Sequence, residues 1–152
     1  MRGFTLIELL VSITIVMLLS GTALATFLNY QAKRQVQDDA SGVAERLRTV
    51  QIKATAVEIP AGCTTVTNYI VTFDATWLTV AATCPGVGSV PVPLGLVLVN
   101  SVFQNSPFTI TFDSRTVSAS PRTINICGNN ILYQVLVGAS ANVGRPVFGG
   151  SC

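Results

Sequence analysis

The chain has 152 residues, of which 49% are hydrophobic and 11% charged, so it allows one small domain plus an apolar segment. The net charge of +2 is too small to indicate a nucleic-acid or other highly charged partner by itself. The sequence contains no histidine, the commonest general base, and we therefore expect no enzymatic activity, no cofactor and no metal ion.

The N-terminal stretch is apolar from Phe4 to about Leu28 and contains one ionisable side chain, Glu8. A helix of this length crosses the roughly 30 Å hydrocarbon core of a bilayer, so residues 4–28 are predicted to form a transmembrane helix. A carboxylate inside such a helix costs on the order of 2.5–3.5 kcal/mol and needs a partner. If the chain is cut between Gly3 and Phe4, the new α-amine of Phe4 lies one helical turn from Glu8 and neutralises it, in the same chain or in a neighbour.

The motif Gly3-Phe4-Thr5-Leu6-Ile7-Glu8, followed by a long apolar helix, resembles the processing site of type IV pilins and type II secretion pseudopilins. The resemblance implies a leader of residues 1–3, cleavage by a prepilin peptidase after Gly3 and N-methylation of Phe4. It implies that Glu8 supports the packing of subunits in a filament. The expected partners are other pilin or pseudopilin subunits, the peptidase and an inner-membrane assembly platform. The head would lie outside the cytoplasmic membrane.

Residues 29–57 are predicted to continue the helix in amphipathic form, because apolar residues recur at steps of three and four. We expect one helix from Phe4 to about Val57, ended by Pro60-Ala61-Gly62. The predicted buried stripe consists of Val36, Ala40, Val43, Ala44, Leu47, Val50 and Ala54.

Residues 58–152 are predicted to form a β-rich head, because short runs of β-branched and aromatic residues alternate with turn signals. The predicted architecture is α+β, a pilin-like fold in which the long helix packs on an antiparallel sheet. Residues 85–93, rich in proline and glycine, are interpreted as a loop. The predicted strands cover residues 69–73, 77–81, 96–103, 108–112, 123–127, 131–137 and 145–148.

The four cysteines lie in the predicted head, which an exported protein would hold in an oxidising compartment. Three connectivities are possible, and we favour the one in which each disulfide closes a local loop. Their irregular spacing, without a C-x-x-C pair, argues against a zinc site. The favoured pairs are Cys63–Cys84 and Cys127–Cys152.

The C-terminal half adds a second resemblance, to one subgroup of this family. The segments Ile110–Asp113, Thr123–Cys127 and Gly144-Arg145 are similar to those of GspH/FimT-type minor pseudopilins, as is the helix pattern around Leu47–Ala54. This implies a low-abundance subunit that initiates or caps a pilus-like filament. The alternative within the same family is a major pilin that forms most of the fibre.

Three other interpretations stay open at this point. Ala23-Leu24-Ala25 fits the cleavage site of a secretory signal peptide, although the apolar run is too long for one and holds a carboxylate. Glu8 could be the snorkelling charge of an ordinary membrane anchor. Arg145 is the candidate for a nucleic-acid contact, since some FimT-type pilins bind DNA through basic residues in a similar tail. We expect it to be a surface or packing residue, because phosphate binding needs clustered cations.

Overall fold

The structure is a computed structural model and describes residues 5–152, apart from the side chains of residues 21–25. One helix, α1, runs from Leu6 to Thr55. It ends where Val57 takes a left-handed backbone conformation (φ 49°), and the N–H of Glu58 closes the last turn on the carbonyl of Lys53 at 3.0 Å. The predicted continuous helix therefore agrees with the structure over its described length.

The chain forms two compact units, residues 1–34 and residues 35–152. The first unit, described from Thr5, consists of the N-terminal part of α1. The second unit contains the rest of α1 and two antiparallel sheets.

The strands of the second unit form a five-stranded sheet in the order β3-β2-β1-β5-β6 and a four-stranded sheet in the order β4-β7-β8-β9. Strands β7 and β8 form a hairpin through Asn129 and Asn130, both at positive φ, as a tight two-residue turn requires. The strands are β1 Asn68–Phe73, β2 Trp77–Cys84, β3 Gly88–Val97, β4 Val102–Phe103, β5 Phe108–Asp113, β6 Ser118–Ala119, β7 Arg122–Gly128, β8 Ile131–Val137 and β9 Val147–Gly150.

The predicted helical stripe is confirmed, because all seven of its residues are at most 2% exposed. They pack into one apolar core with the inward faces of both sheets. An aromatic cluster lies in this core, where the ring of Phe73 stacks on Phe108 at 4.5 Å and meets Phe103 edge-on at 5.0 Å. The amphipathic half of α1 is thus part of the core of the second unit.

The interpretation of residues 85–93 as a loop is wrong over most of its length, because β3 begins at Gly88. Strand β3 lies at the sheet edge, where proline is tolerated since no further strand needs its missing N–H. Pro91 and Pro93 occupy the exposed positions of a two-residue alternation whose other positions, Val92 and Leu94 among them, are half-buried.

Further details of the predicted strands and sheet need correction. The strand predicted over residues 96–103 is split, since β3 ends at Val97 and β4 holds only Val102–Phe103. The last strand begins at Val147, two residues after Arg145, and the short β6 was not predicted. The single predicted sheet is in fact two sheets.

Candidate functional site

The predicted processing motif lies at the start of α1. Gly3 and Phe4 lie outside the described residues. Glu8 lies in the first turn, where its backbone N–H is 3.1 Å from the carbonyl and 3.3 Å from the hydroxyl oxygen of Thr5. Thr5 therefore caps the helix, and a carboxylate three residues later is favoured by the helix dipole. This gives Glu8 a local role, while its pairing with the Phe4 amine stays a prediction.

The N-terminal part of α1 is apolar around its whole circumference. Successive helical residues are about 100° apart, so any five of them cover every face. The five residues from Ile15 to Leu19 are all 50–74% exposed. A helix that is hydrophobic on every face is typical of a membrane span or of the interior of an assembly.

The hydroxyl groups in this apolar stretch are bonded within the helix itself. Ser12 donates to the carbonyl of Glu8 at 2.6 Å, and Ser20 donates to the carbonyl of Val16 at 2.7 Å. Thr14 bonds back to Val11 in the same way, at 2.8 Å. These side chains can therefore enter an apolar environment without an unsatisfied hydroxyl proton.

Within the part of the chain that the structure describes, no helix combines the length and the mean hydropathy of a membrane span. The membrane crossing stays a prediction.

Asp39 joins the helix to the loop between β3 and β4. Its carboxylate accepts hydrogen bonds from the hydroxyl of Ser101 at 2.7 Å and from the backbone N–H of Asn100 at 3.1 Å. Hydrogen bonds to a charged group contribute about 1.5–3 kcal/mol, more than neutral ones. Asp39 is not among the predicted site residues, and its only sequence signal is its place beside the buried stripe.

At the other end of the helix, Tyr69 and Lys53 hold the residues that follow α1. The hydroxyl of Tyr69 donates to the carbonyl of Glu58, and Lys53 forms an ion pair with the Glu58 carboxylate. Burial, and secondarily the Glu58 carboxylate, raise the pKa of Tyr69 above its ordinary value of 10.0. The phenol therefore stays a donor at neutral pH.

A groove of about 310 Å³ contains Arg145, together with Arg48 from the helix. Arg48 is half-buried and donates to the carbonyls of Gly144 at 3.0 Å and Val143 at 3.5 Å. Arg145 is exposed, so two arginines line the groove, and one of them is bonded to backbone carbonyls. The remaining lining residues are Gln37, Ser41, Ala44 and Pro146.

Both favoured disulfides are present. Cys63 bonds to Cys84, with the Cα atoms 5.7 Å apart, and so links the segment after α1 to the end of β2. Cys127 bonds to Cys152, with the Cα atoms 6.0 Å apart, and so links the end of β7 to the segment after β9. Each bond closes a loop of more than twenty residues within the second unit.

Over residues 5–152, no three cysteine, aspartate or glutamate side chains come together as metal ligands. Asp113 accepts from the backbone N–H groups of Arg115 at 2.7 Å and Thr116 at 2.9 Å, and so closes the turn after β5. It acts as a turn residue.

Comparison with known proteins identifies the N-terminal segment. The family described as the prokaryotic N-terminal methylation motif matches residues 1–24. No curated protein and no solved structure matches the chain significantly. The match contains Gly3, Phe4 and Glu8, and it indicates a type IV pilin-like precursor that a prepilin peptidase processes. It also suggests that the protein interacts with the peptidase and with other pilin subunits.

Proposed function

We propose that this protein is a structural, non-enzymatic subunit of a pilus-like filament, anchored in the cytoplasmic membrane by residues 4–28 before assembly. The observation that carries the proposal is the helix that begins at the methylation motif and exposes apolar side chains on every face. Removing a side chain the size of leucine from water contributes about 1.5–3 kcal/mol. Eleven such residues between Leu6 and Leu19 are about half or more exposed, so this segment needs lipid or protein around it.

In this proposal lipid covers the segment first, and the helices of neighbouring subunits cover it after assembly. Lipid is as apolar as these side chains, so close packing and polar pairing must favour the exchange. Glu8 supplies the polar pairing, because its carboxylate attracts the α-amine that cleavage creates on Phe4 of a neighbouring subunit. The uncleaved precursor has no such amine and is therefore not competent for assembly.

The N-terminal peptide of protein purified from its own cells tests the proposal. We expect a mass that corresponds to a chain beginning at N-methylated Phe4. A chain beginning at Thr26 would identify a signal-peptidase product, and an intact Met1 would identify an unprocessed membrane protein. Either of these results would overturn the proposed assembly.

The role of Glu8 has its own test. Glu8→Ala is expected to leave the protein in the membrane fraction but to reduce its recovery in sheared filaments at least tenfold, since the Phe4 amine loses its counter-charge. The matched control is Glu45→Ala, which removes an exposed carboxylate from the same helix. Equal recovery of the two variants would show that the pairing is not needed.

Within this class, we propose a minor subunit of the GspH/FimT type, on the strength of the motifs in the C-terminal half. The amount of this chain in sheared filaments separates the two roles. A minor subunit is present at a small fraction of the main protein, whereas a major pilin dominates the preparation.

A second candidate function is nucleic-acid binding, favoured by the groove in which Arg48 and Arg145 lie together. Two cations can neutralise two phosphates and give a correspondingly small salt dependence. A gel shift at low salt compares wild type with Arg145→Ala and with the control Arg115→Ala. Retardation that only Arg145→Ala weakens supports this function, and no retardation at micromolar protein removes it.

A further inference from the structure

The second unit exposes an apolar patch at one end of its larger sheet. We call this surface the Trp77 patch and define it as Trp77, Val97 and Val99, which are 51%, 67% and 82% exposed. Trp77 and Val97 are directly opposed on β2 and β3, so their side chains share one face of the sheet. Val99 follows two residues later, beyond the buried Leu98.

The patch lies in a part of the chain without charge. No charged residue occurs between Asp74 and Asp113 in the sequence. Asp74 is half-buried, and one of its carboxylate oxygens accepts from the N–H of Ala75 at 2.8 Å. The three side chains of the patch carry no charge, while two carboxylates lie beside it: the N–H of Asp74 donates to the carbonyl of Trp77 at 2.9 Å, and Asp39 accepts from the N–H of Asn100, the residue after Val99. Burying the three side chains themselves therefore removes water from no ionised group.

The patch lies at the end of the larger sheet that is next to Asp39, a residue of α1 near the start of the second unit. Leu98 donates to the carbonyl of Thr76 at 2.7 Å, which ties the loop after β3 to the turn before Trp77. The same loop donates to Asp39 through Asn100 and Ser101. Glu58, which follows α1, accepts a hydrogen bond from Tyr69. Tyr69 pairs with Ala82, towards the other end of the sheet.

Chain length limits how far the first residue of the second unit can lie from the proposed anchor. Six residues separate Leu28, the end of the apolar run, from Gln35, the first residue of the second unit. The seven Cα–Cα steps from Leu28 to Gln35 span at most about 25 Å, even fully extended. When residues 4–28 are in a bilayer, Gln35 is therefore held within about 25 Å of the lipid surface.

From these observations we propose that the Trp77 patch contacts the bilayer interface in the unassembled subunit. This inference rests on the proposed membrane anchor. Tryptophan favours the membrane–water interface, because its ring is largely apolar while its N–H can still bond to water or headgroups. The two valines add apolar area beside the ring. Assembly then removes the patch from lipid, so this contact holds the head of the free subunit at the membrane until extraction.

Trp77 is the single tryptophan of the chain, which makes its fluorescence specific to the site. The experiment uses the full chain in phosphatidylcholine vesicles, with either brominated lipid or aqueous acrylamide as quencher. We expect brominated lipid to reduce the emission about twofold, as for an interfacial tryptophan, while acrylamide quenches weakly. Val99→Asp should abolish the lipid quenching, because it puts a carboxylate on the patch itself, which opposes insertion.

The matched control moves the probe to the other end of the same sheet. Val87 is 57% exposed in the turn between β2 and β3, so Trp77→Phe combined with Val87→Trp keeps one exposed tryptophan. This double variant should be quenched by acrylamide and not by brominated lipid. Quenching of both proteins by brominated lipid would show general adsorption of the head and would overturn the assignment to the patch.

Flotation of the vesicles separates the inference from the anchor on which it rests. If the chain does not float with the vesicles, the proposed anchor fails. If it floats but Trp77 remains as accessible to acrylamide as the control, the patch does not bind lipid and the anchor stands. A third result is that Trp77 is protected from acrylamide but its emission is not quenched by brominated lipid, and that the protection fades as lipid is added. The patch would then contact a second copy of the chain, which would overturn the lipid contact.

Discussion

Gly128 at the end of β7 lies where the smaller sheet, the helix and the loop after β3 meet. A Cβ added there would lie 2.3 Å from the carbonyl oxygen of Asn100 and 3.0 Å from Cγ2 of Val36. Ordinary contact begins near 3.4 Å, so Gly128→Ala requires the backbone at Asn100 to move by about 1 Å.

The movement would strain the hydrogen bonds that Asp39 accepts from Asn100 and Ser101. Overpacking alone costs about 1–3 kcal/mol, and weakening a charge-assisted hydrogen bond adds to that cost. We therefore expect Gly128→Ala to lower the free energy of unfolding by about 3 kcal/mol. Denaturant unfolding of the full chain in mild detergent, followed by Trp77 fluorescence, measures it.

Gly138→Ala is the matched control, because the nearest atom to its added Cβ is 3.7 Å away, an ordinary contact. It should stay within about 0.5 kcal/mol of wild type. If Gly128→Ala is as stable as this control, the close approach of the loop to β7 is not a constraint and the reasoning fails.

Three further predictions concern stability. Leu47→Ala should lower the free energy of unfolding by about 2–5 kcal/mol, measured with denaturant, because Leu47 is fully buried. Ile52→Ala, at a 65% exposed position of the same helix, should lower it by less than about 1 kcal/mol. Equal losses would contradict the packing of the helix. Replacing both Cys127 and Cys152 by serine should lower stability by about 3.5 kcal/mol from loop entropy alone, and an unchanged unfolding midpoint would argue against it. The backbone N–H groups of Thr116 and Arg115 hold the pKa of Asp113 below its ordinary value of 3.8. The contribution of Asp113 to folding stability is therefore present above that pH, and it is lost as the pH falls through the lower pKa of the folded state. Acid titration of unfolding should therefore show a steeper loss for wild type than for Asp113→Asn.

The helix could be predicted from sequence because its signal repeats locally. Seven small or branched apolar residues recur with the helical period, and no proline occurs before Pro60 to interrupt them. Strand β3 could not be predicted from the same kind of reasoning. Its proline and glycine residues signal a loop by composition, and only its place at a sheet edge makes those residues acceptable.

The contacts of Asp39 and Arg48 were not predictable for a different reason. Asp39 contacts residues about sixty positions away, and Arg48 contacts carbonyls 95 and 96 positions away. Most of their partners are backbone groups, which every residue carries, so no pattern of side chains marks them. Arg145 lies near Arg48 by the same long-range folding, although the two are far apart in sequence.

The apolar residues are buried in the second unit and exposed in the first. Mutations in the two units should therefore have different effects. In the second unit the helical stripe is covered by the two sheets, with Asp39, Arg48 and two disulfides as additional links. In the first unit the apolar residues from Leu6 to Leu19 are exposed. Substitutions at the links should therefore lower the stability of the head without affecting processing. Substitutions at Glu8 should leave the unfolding of the second unit unchanged, because Glu8 lies outside that unit. They should affect only processing, membrane residence and assembly.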